Sequence, residues 1–244
     1  VYIIPGGEAS AQPGTSGSYS DTTGPVVRLG VKGGRRTIPI ALAAFARDSA
    51  DADLNQLAES ISAVLSEDLR NSARFDILAD TSRLDAVDRG GLLDRWSAAG
   101  ARALVRGEVR RRLGKTELFA TLFRLPDGRI LIGKTYRVDG DRSRRVAHHL
   151  SDDIVSSLTG HPGVATTRIA FVASRSGRKE IYVMDYDGYG VRPVTDDRTI
   201  NLSPTWSPDG RQIAYTSLHG GRWELFIANV LSGGTTPIRT SSGF

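Results

Sequence analysis

At 244 residues and 26.3 kDa the chain has room for one large domain or two modest ones, and no run approaches the about 20 apolar residues that a membrane-spanning helix needs. The net charge of +5 is a thin excess spread along the chain, with 23 Lys+Arg against 20 Asp+Glu in residues 1–160 and 9 against 7 in residues 161–244. Its basic runs, Arg110-Arg111-Arg112 and Arg142-Ser143-Arg144-Arg145, lack interleaved aromatics, which argues against nucleic-acid binding, and the absence of cysteine excludes thiolate zinc sites, thiol nucleophiles and disulfides.

Residues 1–24 are rich in Gly, Ser, Thr and Pro and carry too little apolar area to offset the entropy of ordering them, so a flexible tail is expected there. Val26–Val31 is the first strand-like run. Ile38–Phe45 is a nearly continuous apolar run that suits a strand buried on both faces. Asp53 is read as the N-cap of a helix whose apolar stripe is Leu54, Leu57, Ile61, Val64, Leu65 and Leu69, ending near Asn71. A short strand follows at Phe75–Leu78. A second helix is expected over Leu92–Ala99, with Trp96 in the core and a stop at Gly100.

Three strands are predicted at Ala103–Arg111, Thr116–Leu125 and Arg129–Val138, with turn chemistry at Pro126-Asp127-Gly128. A closing helix over Arg142–Leu158 carries Val146, Leu150, Ile154, Val155 and Leu158 as its stripe, and Gly160-His161-Pro162-Gly163 punctuates the chain. The expected fold of residues 25–160 is one compact α/β domain with a mixed sheet.

Residues 164–244 repeat with an offset of 44. Ile169-Ala170-Phe171-Val172 aligns with Ile213-Ala214-Tyr215-Thr216, Glu180-Ile181-Tyr182-Val183 with Glu224-Leu225-Phe226-Ile227, and Pro193 with Pro237. A period of about 40–45 residues holding several short strands marks a β-propeller blade. Fewer than two such units are present, so a propeller broken off before closure is expected. Tyr186, Tyr189 and Trp206 are candidate interface anchors, with packing of one blade on the next as the plainer reading.

Catalytic and metal-binding patterns are sparse. His148-His149 lack a second histidine three or four residues away and read as surface or interface residues. No Gly-x-Ser-x-Gly elbow and no phosphate-binding loop occurs. Asp152-Asp153 and Asp196-Asp197 are adjacent acidic pairs of the kind that rarely converge on a substrate, and Asp185 and Asp187 lack calcium-loop spacing. No catalytic, cofactor or metal residue is assigned.

Trp206-Ser207-Pro208-Asp209-Gly210 followed by Ile213-Ala214-Tyr215, together with Tyr182-Val183-Met184-Asp185-Tyr186-Asp187-Gly188, resembles the TolB-type propeller repeat. Arg36-Thr37-Ile38-Pro39-Ile40-Ala41, Asp68 to Phe75, Leu158-Thr159-Gly160 and Thr167 to Phe171 resemble, in order, the opening strand, a helix-to-strand junction and the interdomain link of the TolB family. The resemblance covers about residues 25–244. It implies a non-enzymatic periplasmic adaptor of the Tol–Pal system with a six-bladed propeller, linking the inner-membrane protein TolA to the outer-membrane lipoprotein Pal for envelope integrity and division. It also implies that the TolA-binding segment is Val26-Val27-Arg28-Leu29-Gly30-Val31, a run that is credible as an added β-strand and whose plainer alternative is an ordinary edge strand of the α/β domain. The family's Pal-binding surface lies mostly in later blades, so no Pal-contact residue is assigned. The alternative is a propeller peptidase whose catalytic domain lies beyond residue 244.

Overall fold

The computed structural model describes residues 37–45, 51–79, 89–138 and 143–239, which fall into two compact units, the first ending at Thr167 and the second starting at Arg168. Residues 1–36, with the expected tail and the Val26–Val31 segment, lie outside the described residues.

The first unit is built on strands β1 (Ile38–Leu42), β2 (Phe75–Ala79), β3 (Ala103–Arg112), β4 (Lys115–Arg124) and β5 (Ile130–Val138), with helices α1 (Ala52–Asn71), α2 (Arg89–Ala98) and α3 (Ser143–Thr159). The sheet order is β2-β1-β3-β4-β5. β1 pairs parallel with both β2 and β3, and the remaining pairs are antiparallel, so the sheet is mixed. Such an arrangement follows from the connections: β1 and β2 are joined through α1 and β2 and β3 through α2, whereas β3, β4 and β5 are joined by short turns.

The apolar run of β1 is buried on both faces, as its sequence predicts. Ile40, Leu42 and the following Phe45 join a core shared with α1 and α3, while Ala41 and Ala43 join a second core with Leu92 and Trp96 of α2 and Leu104 and Phe123 of the sheet. Gly107 of β3 leaves room for the Phe45 ring, since a Cβ there would stand 2.6 Å from its Cδ2 and Cε2.

α1 starts two residues earlier than its sequence reading. Asp51, not Asp53, is the N-cap, and its Oδ1 accepts the N–H groups of Asp53 and Leu54, each at 3.1 Å. Asp53 instead occupies the first turn, where a carboxylate complements the helix dipole. The β3–β4 connection is a two-residue turn at Leu113-Gly114, both with positive φ, that sequence reading left unmarked.

The second unit holds β6 (Arg168–Ala173), β7 (Glu180–Asp185) and β8 (Arg192–Pro193) in one antiparallel sheet, and β9 (Asn201–Trp206), β10 (Gln212–His219), β11 (Arg222–Asn229) and β12 (Thr235–Pro237) in another. The 44-residue repeat is reproduced in side-chain geometry. Phe171 stacks on Tyr182 with centroids 5.9 Å apart, and their counterparts Tyr215 and Phe226 stack at 5.8 Å. The aliphatic face of the first sheet (Ala170, Ile181, Val183, Val194) packs on the opposite face of the second (Ile213, Tyr215, Ala228, Val230), forming one core. These are consecutive propeller blades in an open array.

Candidate functional site

The densest polar constellation of the second unit lies between its two sheets. Glu180 opens β7 and is buried, as are Thr195 in the loop after β8, Asn201 at the start of β9 and Ser217 on β10. Glu180 Oε2 accepts from the Thr195 hydroxyl at 2.5 Å and from the Asn201 amide at 2.8 Å, and Oε1 accepts from the Arg198 N–H at 3.0 Å. Thr195 Oγ1 in turn accepts the Ile181 N–H at 2.9 Å. Asn201 also donates to Asp197 Oδ1 at 2.8 Å, and Thr199 bridges Asp197 to Ser217 through hydrogen bonds of 2.9 Å on either side.

His219 Nε2 stands 3.7 Å from Asp197 Oδ2. Partial burial works against the Asp197 charge, yet the bonds from Asn201 and Thr199, with His219 nearby, hold its carboxyl below the usual range. The Tyr215 hydroxyl is pushed up to about 12 by burial and by the charges of Asp197 and Glu180. A buried carboxylate whose two oxygens accept hydrogen bonds from the loop after β8 and from the first residue of the next sheet works as a clamp between blades.

Trp206 packs inside this unit. The Arg168 guanidinium lies 4.7 Å from its ring centroid, and Arg168 Nη2 donates to the Gly210 carbonyl at 2.6 Å, fastening β6 to the Ser-Pro-Asp-Gly turn of the next repeat. Tyr186 and Tyr189 belong to the turn after β7, where the Tyr189 N–H donates to Asp187 Oδ1 at 3.0 Å and the Asp185 N–H to the Tyr189 carbonyl at 2.8 Å. Asp185 and Asp187 thus flank a tight turn, and Tyr189 is exposed. The three aromatics are divided between that turn and the end of β9.

In the first unit, the acidic pair of α3 diverges. Asp152 accepts the N–H groups of Ala165 and Thr166 at 2.7 and 3.1 Å and the Thr166 hydroxyl at 2.7 Å, which fastens the segment leaving α3. Asp153 accepts from Lys134 at 2.6 Å and Tyr136 at 2.5 Å on β5. Asp153 titrates below its ordinary range because these donors outweigh partial burial, and burial together with Asp153 raises the Tyr136 hydroxyl.

His148 corrects the sequence reading, which placed both α3 histidines at a surface or interface. His149 is exposed, but His148 is buried and its Nδ1 lies 2.7 Å from Asp68 Oδ2 on α1. The available signal was positional. Asp68 follows Leu65 by three residues and His148 precedes Ser151 by three, so each belongs to its helix's buried stripe.

A mixed-sheet α/β domain followed in the chain by packed antiparallel blades defines an α/β-plus-propeller-repeat protein. The TolB amino-terminal domain family matches residues 30–127, and the TolB β-propeller domain family matches residues 155–244. The chain belongs to the TolB family. It is 32% identical over 199 residues to the Tol-Pal system protein TolB of Desulfosudis oleivorans, covering 79% of this chain and 45% of that protein. It is 36% identical over 196 residues to the protein of the same name from Anaeromyxobacter dehalogenans, covering 78% of this chain and 44% of that one. The crystal structure of TolB from Acinetobacter baumannii superposes with a TM-score of 0.67 at 25% identity, over 83% of this chain and 49% of that one. The chain therefore spans about half the length of the curated relatives it matches.

Among the described residues, no helix is long and apolar enough to cross a membrane.

Proposed function

We propose that the chain is the amino-terminal half of a periplasmic, non-enzymatic adaptor that joins a TolA-like inner-membrane protein to a Pal-like outer-membrane lipoprotein in the Tol–Pal system. The observation that carries this reading is the pairing, in one chain and in family order, of the TolB amino-terminal domain with TolB-type blades, in relatives that are named as Tol-Pal system proteins. Neither module would be as specific alone, because propeller repeats serve many functions.

In this reading Val26–Val31 binds TolA by adding a strand to a sheet edge, a mode in which backbone hydrogen bonds give affinity and alternate side chains set register. The same segment competes for a site on its own domain, which makes the contact a switch. Pal is held by the propeller once further blades cover the aliphatic face of the second repeat, where Leu225 and Ile238 are exposed.

The test is calorimetry of the chain against the periplasmic part of TolA, with and without deletion of residues 26–31. Deletion is expected to abolish binding while the circular dichroism of the α/β unit persists, since its core draws on elements from Ile38 onward. Undiminished affinity in the deleted form overturns the assignment of the segment, and no affinity in either form overturns the adaptor reading.

A further inference from the structure

The structure assigns the β3–β4 hairpin tip a role the adaptor reading does not use: we propose that Arg110-Arg111-Arg112-Leu113-Gly114-Lys115 is a peripheral docking element for an anionic phospholipid surface. Among the described residues the last β5 pairing is Val138 with Thr116, and the Arg112–Lys115 pair lies one step further towards the turn. Leu113 is 93% exposed at its apex, the highest value among the exposed large apolar side chains of the described residues.

The backbone there is independently unusual. Arg112 pairs with Lys115, leaving a two-residue turn in which Leu113 has φ 50° and Gly114 φ 73°. Turns with positive φ at both central positions favour Asn-Gly, whose first residue tolerates the left-handed region and is content in water. Leucine there is strained and also leaves its whole side chain in solvent. Neither property helps the fold, and both suit a side chain presented to something outside the molecule.

The surrounding charge names that something. Arg110, Arg112 and Lys115 share one face of the hairpin with Arg137 of β5, and Arg111 points to the other face. Among the described residues the acids near the tip are Glu108, two residues before Arg110 on the same face, Asp51 and Glu117. Asp51, the N-cap of α1, lies 3.4 Å from Arg111, and Glu117 pairs across the sheet with both Arg110 and Arg137. Arg110 also lies over Phe119 at 5.7 Å from its ring centroid. Arg112 and Lys115, at the apex, are exposed and pair with each other, with no acidic cross-strand partner among the described residues.

A convex two-residue tip offers little area compared with the ~800 Å² per partner of a stable protein interface. A bilayer surface needs no shape complementarity: lipid phosphates gather around the cations while one leucine enters the headgroup region. The contact is peripheral, at headgroup level.

The test is co-sedimentation of the full chain with vesicles of phosphatidylcholine, with or without added phosphatidylglycerol. Binding is expected only when phosphatidylglycerol is present. Arg112→Ala with Lys115→Ala should weaken it by roughly 25-fold, taking about fivefold per cation near an anionic surface. Leu113→Asn is the decisive variant, because it keeps every charge, relieves the turn, and should leave thermal stability equal or higher while weakening binding at least about threefold. A charge-matched control, Arg175→Ala with Arg178→Ala in the β6–β7 loop, should lose far less. Equal losses in the control, unchanged binding of the Leu113→Asn chain, or equal binding to pure phosphatidylcholine would each overturn the proposal. So would capture by a polyglutamate peptide without vesicle binding, which would point to an acidic protein instead.

Discussion

Replacing Glu180 by glutamine changes almost no volume and removes one acceptor, which makes it a clean probe of the clamp between blades. The carboxylate receives three donors: the Thr195 hydroxyl and the Asn201 amide on Oε2, and the Arg198 N–H on Oε1. Glutamine supplies one acceptor oxygen and one NH2 group. With its oxygen toward Thr195 and Asn201, its NH2 faces the Arg198 N–H at 3.0 Å; flipped, it faces the Asn201 amide at 2.8 Å. Either way two donors oppose each other in a buried setting, which costs about 1–3 kcal/mol, or about a five- to 150-fold rise in the opening constant. Hydrogen exchange followed by mass spectrometry reads this by segment. Protection in β7 and β9 should fall by that factor, while α1 and β3 in the other unit serve as an internal control. Unchanged protection of β7 and β9 in Glu180→Gln would show that the network does not hold the blades together.

Gly107→Ala should cost about 1–3 kcal/mol in denaturant unfolding of the α/β unit, because the new Cβ meets the Phe45 ring at 2.6 Å, and the cost should shrink in a Phe45→Leu background; additivity of the two changes would refute the contact. Ile181→Lys buries an uncompensated charge and should destabilise the blades by about 3–5 kcal/mol, whereas Leu225→Lys at the equivalent exposed position should stay within about 0.5 kcal/mol in this chain, both by urea titration. Asp153 and Asp197 have lowered pKa values, so each contributes stability that is present above the ordinary carboxylate pKa of about 3.9 and is lost as pH falls through the lower folded value. Acid titration should therefore show Asp153→Asn flattening the low-pH loss of the α/β unit and Asp197→Asn that of the blades; identical acid profiles would refute the assignment.

Periodicity made much of this architecture legible. The continuous apolar run at Ile38–Phe45 announces a central strand because both of its faces must be covered, and Ile40 and Ala41 do lie in separate cores. The 44-residue offset announces blades because each unit repeats the same aromatic pair. What stayed hidden depends on pairings that local sequence does not encode. Asp68 and His148 meet across 80 residues, and each alone looks like an ordinary polar residue on a helix. The Leu113-Gly114 turn escaped notice because leucine is not a turn former. Glu180 and Glu224 occupy equivalent positions, yet the first is buried under donors from the following loop and sheet and the second is exposed, so burial here is a property of the neighbour and not of the repeat.

That asymmetry says how such blades assemble. Each repeat has an aliphatic face and an aromatic face, and the contact in hand joins the aliphatic face of the first to the aromatic face of the second. A contact between unlike faces is head-to-tail, so between two repeats it leaves one of each kind unused, unlike a two-fold contact, which satisfies itself. Ile181 and Val194 are 0% and 9% exposed, whereas their counterparts Leu225 and Ile238 are 41% and 38% exposed although their chemistry is the same. The second repeat therefore presents an uncovered apolar face, with exposed Glu224 at the position that Glu180 holds in the first repeat. Head-to-tail contacts of this kind end either in a closed ring or in an open stack, and the angle between successive blades, which the Glu180 and Arg168–Trp206 contacts span, is the quantity that selects between them.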